Sequence, residues 1–326
     1  MAFVEVPGKR KTSGLVFKDG DKERFVSVLG THLCHKGNLL DMTPNRRNDA
    51  VIDGWEVTTA GWHYRLGQPN GKATDGWVGF GGLEGKRWFY SRLVRVGYLH
   101  YPTRNWQDVG GTPSYVRGNL SSSAQTVGVG GITIKAVADV EWRNIWNTPG
   151  AGEVYLRWRV EGKELKEDVV LNSAARAWIV ANSPPATPVA STYFGFVFKL
   201  DVTDIPRILK NGVLQDFEGD FDDDNGTSRL FFEDGVDEVL GFLPISKAYS
   251  QDLETSIDLR KRIWKDPDGN VYLLVGAKVA ELNGLPAGDV IFDPTFQSQP
   301  DATVGIDANL KASSPTTNFP TESFFQ

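Results

Sequence analysis

Apolar and polar residues alternate along several short segments of this chain. Val154, Leu156, Trp158 and Val160 occupy every second position, with mostly polar residues between them. Residues 132–140 and 194–200 show the same spacing. Side chains two positions apart share one face of a β-strand, so this alternation predicts half-buried antiparallel strands.

Turn residues separate these segments. Gly162 interrupts the pattern and predicts a hairpin over residues 154–171. The sequence DPDGN at 266–270 is typical of a reverse turn, and we place it between strands at 257–259 and 271–275. The remaining predicted strands include 93–100 and 230–232.

Helices are predicted at only two places, residues 174–181 and 205–209. The long amphipathic helices that connect parallel strands are missing from the pattern. We therefore predict an all-β fold, built from antiparallel β-sandwich or jelly-roll-like domains with few short helices.

Changes in composition divide the chain into three predicted regions. Residues 1–120 form a Gly/Trp-rich β domain, and a serine run at 121–123 resembles a linker. Residues 121–296 form the β-sandwich domain. Residues 297–326 form an extended C-terminal segment that looks like the opening of a further β domain.

Overall composition supports this fold class and narrows the partners. The 326 residues include 35 glycines, 17 prolines and 10 tryptophans, which suits short strands joined by turns. A single cysteine, Cys34, rules out an internal disulfide. The net charge of -6 argues against a nucleic-acid partner. No signal peptide and no membrane-spanning apolar run is evident, so we predict no membrane partner.

An acidic loop at residues 216–226 is the one candidate metal site. Asp220, Asp222 and Asp224 have the alternate spacing with which calcium loops direct oxygen ligands at one ion. The match to a helix-loop-helix calcium loop is poor, because the twelfth position holds Phe231. We favour a solvated turn and keep calcium as the alternative; no other cofactor is predicted.

A second cluster, His32, Cys34 and His35, does not meet the requirements of a zinc site. In a strand, His32 and Cys34 share a face while His35 points away, and zinc needs three or four ligands. We interpret the cluster as part of a partly buried strand.

Catalytic signatures are absent from the sequence. It contains neither a Gly-x-Ser-x-Gly elbow nor a glycine-rich phosphate loop. A pair of carboxylates for glycoside hydrolysis stays open, because acidic residues are plentiful. We predict a protein that is not an enzyme, with no catalytic residue.

Three N-terminal stretches carry a resemblance to known proteins. Residues 62–66 (WHYRL), 76–82 (GWVGFGG) and 96–108 (VGYLHYPTRNWQD) resemble N-terminal segments of bacteriophage virion proteins. The downstream region resembles β-rich modules of large secreted or surface proteins, on the stretches 165–171 (LKEDVVL) and 292–295 (FDPT). Residues 301–320 resemble the start of the DNRLRE domain that follows such modules, but the DNRLRE run itself is absent.

This resemblance implies an extracellular or virion structural role, and we predict a location in the virion. The leading hypothesis is a non-enzymatic component of a phage particle: a capsid decoration, tail or fibre-attachment protein. Its expected partners are other virion proteins and copies of itself. An extended segment such as 297–326 could add a strand to a neighbour's sheet edge. The alternatives are a surface adhesin or carbohydrate-binding module that contacts a cell-surface glycan, and a glycan-degrading enzyme.

Overall fold

The computed structural model describes the chain in several ranges. Side chains are described at 54–56, 63–66, 77–81, 87–109, 140–158, 166–185, 191–215, 217, 221–224, 226–233 and 241–294. Elsewhere the description covers only the backbone of strand residues and a few residues that flank the strands.

Strands dominate the described residues, with 61% strand and 11% helix. The strands are β1 Val4–Glu5, β2 Gly14–Asp19, β3 Lys22–Ser27, β4 Cys34–His35, β5 Asn38–Leu39, β6 Asn45–Asn48, β7 Asp53–Val57, β8 Trp62–Gly67, β9 Val78–Leu83, β10 Trp88–His100, β11 Asn105–Asp108, β12 Asn119–Ser121, β13 Val127–Val129, β14 Ile132–Ile134, β15 Asp139–Thr148, β16 Gly152–Glu161, β17 Glu164–Leu171, β18 Thr192–Asp201, β19 Arg207–Lys210, β20 Val213–Gln215, β21 Phe221–Asp222, β22 Leu230–Glu233, β23 Val239–Leu243, β24 Lys247–Ser250, β25 Ser256–Asp258, β26 Arg260–Lys265, β27 Val271–Lys278, β28 Val290–Asp293, β29 Phe296–Ser298, β30 Asn309–Lys311 and β31 Ser314–Phe319. The α-helices are α1 Ser173–Ala181 and α2 Val279–Gly284, and a 3-10 helix spans Tyr101–Thr103.

Two large antiparallel sheets organise these strands. The ten-stranded sheet has the order β21-β26-β27-β18-β10-β9-β8-β7-β6, with β11 beside β10. The twelve-stranded sheet runs β12-β15-β16-β17-β29-β23-β22-β19-β20, and β24, β25 and β28 branch from it. The predicted all-β, antiparallel class is confirmed.

The core lies between these sheets. Phe89 of β10 packs on Phe232 of β22 with ring centroids 4.9 Å apart, and Phe196 of β18 packs on Phe292 of β28 at 5.2 Å. Each pair joins one sheet to the other, as in a β-sandwich.

Several predicted elements are confirmed. Strands β16 and β17 form the predicted hairpin at 154–171, and α1 covers the predicted helix at 174–181. The Asn172 side chain accepts a hydrogen bond from the Ala175 amide at 2.8 Å, which satisfies one of the free amides at the N-terminus of α1.

The helix predicted at 205–209 is wrong, because this segment enters β19. Pro206 lacks an amide hydrogen and disfavours helical backbone in the residue before it. Asn211 and Gly212 follow β19 with φ of 51° and 77°, which is the geometry of a two-residue hairpin turn. That turn pairs β19 with β20.

The strand predicted at 257–259 is also placed differently. Residues 256–258 form β25, and a separate strand, β26, occupies 260–265. The DPDGN turn therefore joins β26 to β27, a pairing that starts at Lys265 and Val271.

Strands from both sides of residue 120 belong to the ten-stranded sheet. β10 pairs along its length with β18, from Tyr90 opposite Asp201 to His100 opposite Thr192. The predicted linker at 121–123 begins inside β12, which pairs with β15. The two larger predicted regions therefore share one sheet and one core.

Candidate functional site

The predicted calcium loop lies beside β21, at one edge of the ten-stranded sheet. Asp220 lies outside the described residues. Asp222 accepts a hydrogen bond from the Tyr101 hydroxyl, and its Oδ2 is 3.5 Å from a guanidinium nitrogen of Arg260. Burial opposes ionisation of Asp222, but the hydrogen bonds from Tyr101 and from the Asp224 amide outweigh it and lower its pKa.

Asp224 contacts different partners from Asp222. Its Oδ1 lies 2.8 Å from the Lys210 ammonium, and its Oδ2 accepts a hydrogen bond of 2.7 Å from the Ser228 hydroxyl. Within the described part of the chain, no group of three or more His, Cys, Asp or Glu side chains could hold a metal ion. Calcium binding by Asp220, Asp222 and Asp224 stays a prediction. The side chains of His32, Cys34 and His35 lie outside the described residues.

Asp223, between these two carboxylates, points into the protein and is fully buried. It lies opposite Lys261 of β26, whose ammonium is equally buried and 3.4 Å from Asp223 Oδ2. The sequence contained a signal for this pair, because alternation puts Asp223 on the opposite face from Asp222 and Lys261 on the same face as Ile263.

The outer face of the ten-stranded sheet, directed away from the core, is rich in aromatic and arginine side chains. We use "outer face" for this surface of β10, β11, β18, β26 and β27. It includes Arg95, Leu99, Trp106, Asp108, Tyr193, Val197, Arg260, Arg262, Trp264, Tyr272 and Leu274.

One end of the outer face carries a stacked aromatic pair. The rings of Trp264 and Tyr272 lie 5.4 Å apart with an interplanar angle of 24°. The Arg262 guanidinium lies 4.8 Å from the Trp264 ring centroid. The Tyr272 hydroxyl donates to Asp266 at 3.2 Å. These contacts fix two half-buried rings with polar groups at their margins.

The other end is built around Trp106. Arg95 donates two hydrogen bonds to Asp108, at 2.9 Å and 2.8 Å, and the Trp106 indole donates to the same carboxylate at 2.7 Å. The bonds from Arg95, opposed by partial burial, hold the pKa of Asp108 below its ordinary value. The indole is thereby held in place with part of its surface exposed.

The floor between the two ends is apolar. Leu99, Tyr193, Val197 and Leu274 form a small buried cluster of their own beneath the aromatic side chains. Alternation within residues 194–200 predicted one buried face, and the structure buries both faces of β18. Sequence reasoning missed the second face because Tyr193 and Val197 stand among glycine and lysine.

A row of glycines crosses this floor. Gly97, Gly195 and Gly276 are direct neighbours on β10, β18 and β27. A Cβ atom on Gly195 would lie 2.8 Å from the Val275 carbonyl oxygen, and one on Gly276 would lie 3.0 Å from the Phe194 carbonyl oxygen. A side chain at Gly195 would force the neighbouring backbone to shift, and one at Gly276 would make a contact tighter than ordinary packing.

The β19–β20 hairpin forms one margin of the twelve-stranded sheet. β20 is the last strand in the sheet order. Val213 and Leu214 on β20 are 63% and 55% exposed. Sheet margins present backbone groups that can pair with another chain, and proteins usually protect them with charge. An apolar edge strand is therefore a surface suited to protein contact.

A small interior cavity holds one carboxyl group. The cavity measures about 20 Å³ and is lined mainly by apolar side chains, with Glu167 and Ser91 among them. Burial, reinforced by the nearby Asp168 and Asp293 carboxylates, raises the pKa of Glu167 well above its ordinary value. Burial in this cavity thus disfavours the charged form of Glu167.

No protein family, curated protein or solved structure matches this chain. No helix within the described ranges has the length and apolar character needed to cross a membrane.

Proposed function

We propose that this protein is a non-enzymatic structural component of a bacteriophage particle, a capsid decoration, tail or fibre-attachment protein, which acts through protein–protein contacts. The observation that supports the proposal best is the apolar edge strand β20. Its exposed Val213 and Leu214 offer side-chain contacts, and its position at the sheet margin offers backbone hydrogen bonds. Strand addition at such an edge joins subunits without a deep pocket.

Measuring the mass of the protein in solution tests whether copies of the chain contact one another at this sheet margin. We expect the full-length protein to self-associate, and Val213→Lys with Leu214→Lys to shift it to monomer, because two charges would be buried at the joint. Sedimentation velocity over a concentration series measures this. Leu253→Lys is the matched control, since Leu253 is 62% exposed in the turn between β24 and β25.

The control should associate as the unmodified protein does. A protein that stays monomeric at high concentration, or an edge variant that associates normally, would contradict this use of β20. Incorporation of the same variants into particles would then test contacts with other virion proteins.

A second function, glycan binding in host attachment, is favoured by the outer face. Trp264 and Tyr272 present aromatic rings suited to stacking on sugar rings, and Arg262 adds a charged group beside the Trp264 ring. Guanidinium groups favour carboxylate or phosphate groups, so the expected ligand is an acidic cell-surface polysaccharide.

Quenching of tryptophan fluorescence by acidic and neutral polysaccharides tests this function. We expect the acidic polymer to bind, and Trp264→Ala to weaken binding about tenfold, the equivalent of about 1.4 kcal/mol. Tyr155→Ala is the control, because Tyr155 lies on the other sheet with the Arg143 guanidinium 3.9 Å from its ring centroid. If Trp264→Ala and Tyr155→Ala bound the acidic polymer equally well, the outer face would not be its binding surface.

A further inference from the structure

The pair formed by Lys261 and Asp223 has no role in either proposed contact surface. Lys261 lies on β26, and Asp223 directly follows β21, the strand paired with it. Their backbones are joined by a hydrogen bond of 3.1 Å, which the Asp223 amide donates to the Lys261 carbonyl. Both side chains leave the strands toward the core and are completely buried.

The environment of the amine holds it against the carboxyl group. Lys261 Nζ lies 3.4 Å from Asp223 Oδ2, donates to the Pro244 carbonyl at 2.7 Å and lies 3.3 Å from the Ser246 hydroxyl oxygen. Nζ is therefore held next to the Asp223 carboxyl group, whose carbon, Cγ, is bonded to Oδ2, and such fixed placement removes the entropy cost of bringing two reacting groups together.

The carboxyl group is polarised from the backbone. The Gly226 amide donates to Asp223 Oδ1 at 3.0 Å, and the Lys261 amide donates to Oδ2 at 2.9 Å. Amide donors placed on both oxygens stabilise the negative charge that develops when a nucleophile adds to the carbon between them.

Burial also shifts both groups toward their reactive forms. Burial raises the pKa of Asp223, although the Lys261 charge opposes the rise. Burial lowers the pKa of Lys261, although Asp223 opposes that change. Transfer of one proton from ammonium to carboxylate gives a free amine beside a carboxylic acid, with no change in net charge.

We propose that Lys261 and Asp223 condense to an intramolecular amide bond. The Nζ lone pair adds to Asp223 Cγ, the Cγ–O bond to the protonated oxygen breaks, and that hydroxyl leaves as water with a proton from the nitrogen. The products are one neutral amide and one water, so no oxidant or co-reactant is needed.

Two physical effects favour the product over the ion pair. An ion pair in a protein interior retains much of the cost of removing two charges from water, and the amide eliminates both charges. The cross-link also closes the chain between residues 223 and 261, which restricts the unfolded state as a disulfide would. The chain has no internal disulfide to supply that effect.

Intact mass spectrometry of the denatured full-length protein tests the proposal. We expect a mass about 18 Da below that of the unmodified sequence, the loss of one water. Lys261→Met and Asp223→Ala should each show the full mass calculated for their own sequences. Lys210→Met is the control. It removes the exposed ion pair between Lys210 and Asp224, which at 2.8 Å is shorter than the Lys261–Asp223 pair, and it should retain the loss of water.

Peptide mapping excludes the other common route to the same mass. An aspartate followed by glycine, as at Asp268, can lose water to form a cyclic imide within one peptide. The proposed bond instead joins a peptide containing Asp223 to one containing Lys261, and it survives the mild alkali that reopens an imide. A full-mass protein, or a loss of water confined to a single peptide, would overturn the proposal.

Discussion

Glu167 illustrates how a single buried side chain can limit the stability of this sandwich. It stands on the core face of β17, between Leu165 and Val169, where alternation calls for an apolar residue. Its Oε1 is buried and has no hydrogen-bond partner within the described residues. Burial of a polar group without a partner costs free energy, so Glu167 is a weak point of the core.

Replacement of this carboxyl group should stabilise the protein at neutral pH. The folded-state pKa of Glu167 is raised well above the ordinary value of 4.5. Below pH 4.5 Glu167 is neutral in both the folded and the unfolded state, and its burial carries no ionisation penalty. As the pH rises above it, the unfolded state ionises first and stability is lost.

We therefore expect Glu167→Gln to raise the free energy of unfolding by about 1 kcal/mol or more at pH 7, and to lose that advantage near pH 4. Urea unfolding at a series of pH values measures both effects. Glu254→Gln, in an exposed turn, is the control and should follow the unmodified protein. A Glu167→Gln variant less stable than the unmodified protein at pH 7 would contradict the assignment.

At the scale of elements, Arg176 joins the two helices. It lies on α1 and donates to the carbonyls of Leu282, Leu285 and Pro286 at the end of α2. The last carbonyls of a helix lack hydrogen-bond donors within the helix, and here the buried Arg176 guanidinium provides those donors. Desolvation lowers the pKa of Arg176, and these carbonyl contacts hold the guanidinium in place.

Loss of this contact should be costly. Arg176→Met keeps much of the side-chain volume but leaves buried carbonyls without donors. We expect the free energy of unfolding to fall by about 2–4 kcal/mol. Arg143→Met is the comparison, since the exposed Arg143–Glu153 pair should contribute at most about 1 kcal/mol. Equal losses in the two variants, measured by chemical denaturation, would show that the helix contact adds nothing.

At the scale of the whole molecule, β18 determines how the two larger predicted regions depend on each other. It pairs with β10 on one side and with β27 on the other. β10 belongs to residues 1–120, while β18 and β27 belong to residues 121–296. A sheet whose central strands come from both regions should fold as one unit.

We therefore expect one cooperative thermal transition for the described sandwich, with coincident far-ultraviolet circular dichroism and tryptophan fluorescence curves. Residues 121–296 produced alone should lack that transition, because β18 would lose β10 and expose Phe194 and Phe196. Analytical ultracentrifugation and the same spectroscopic measurements check this outcome. A soluble fragment with its own sharp transition would favour two independent domains.

Local patterns in the sequence were sufficient for part of this structure. The β16–β17 hairpin and α1 were predictable because spacing and turn residues determine them within about twenty positions. The strand β19 was missed although Asn211 and Gly212 signalled its hairpin. The Lys261–Asp223 pair and the outer face depend on strand order over long separations, which alternation within one segment does not specify.

The glycine row on the outer face limits how this protein can vary. A Cβ atom at Gly97 would lie 2.3 Å from the Gln107 carbonyl oxygen, and Gly195 also lacks room for one, whereas Gly276 has slightly more space. A randomised library selected for folding should therefore return glycine at codons 97 and 195, and less strictly at 276, while nearby aromatic positions drift. Protein engineers could redesign the flanking side chains for new ligands, provided that this row of glycines is kept.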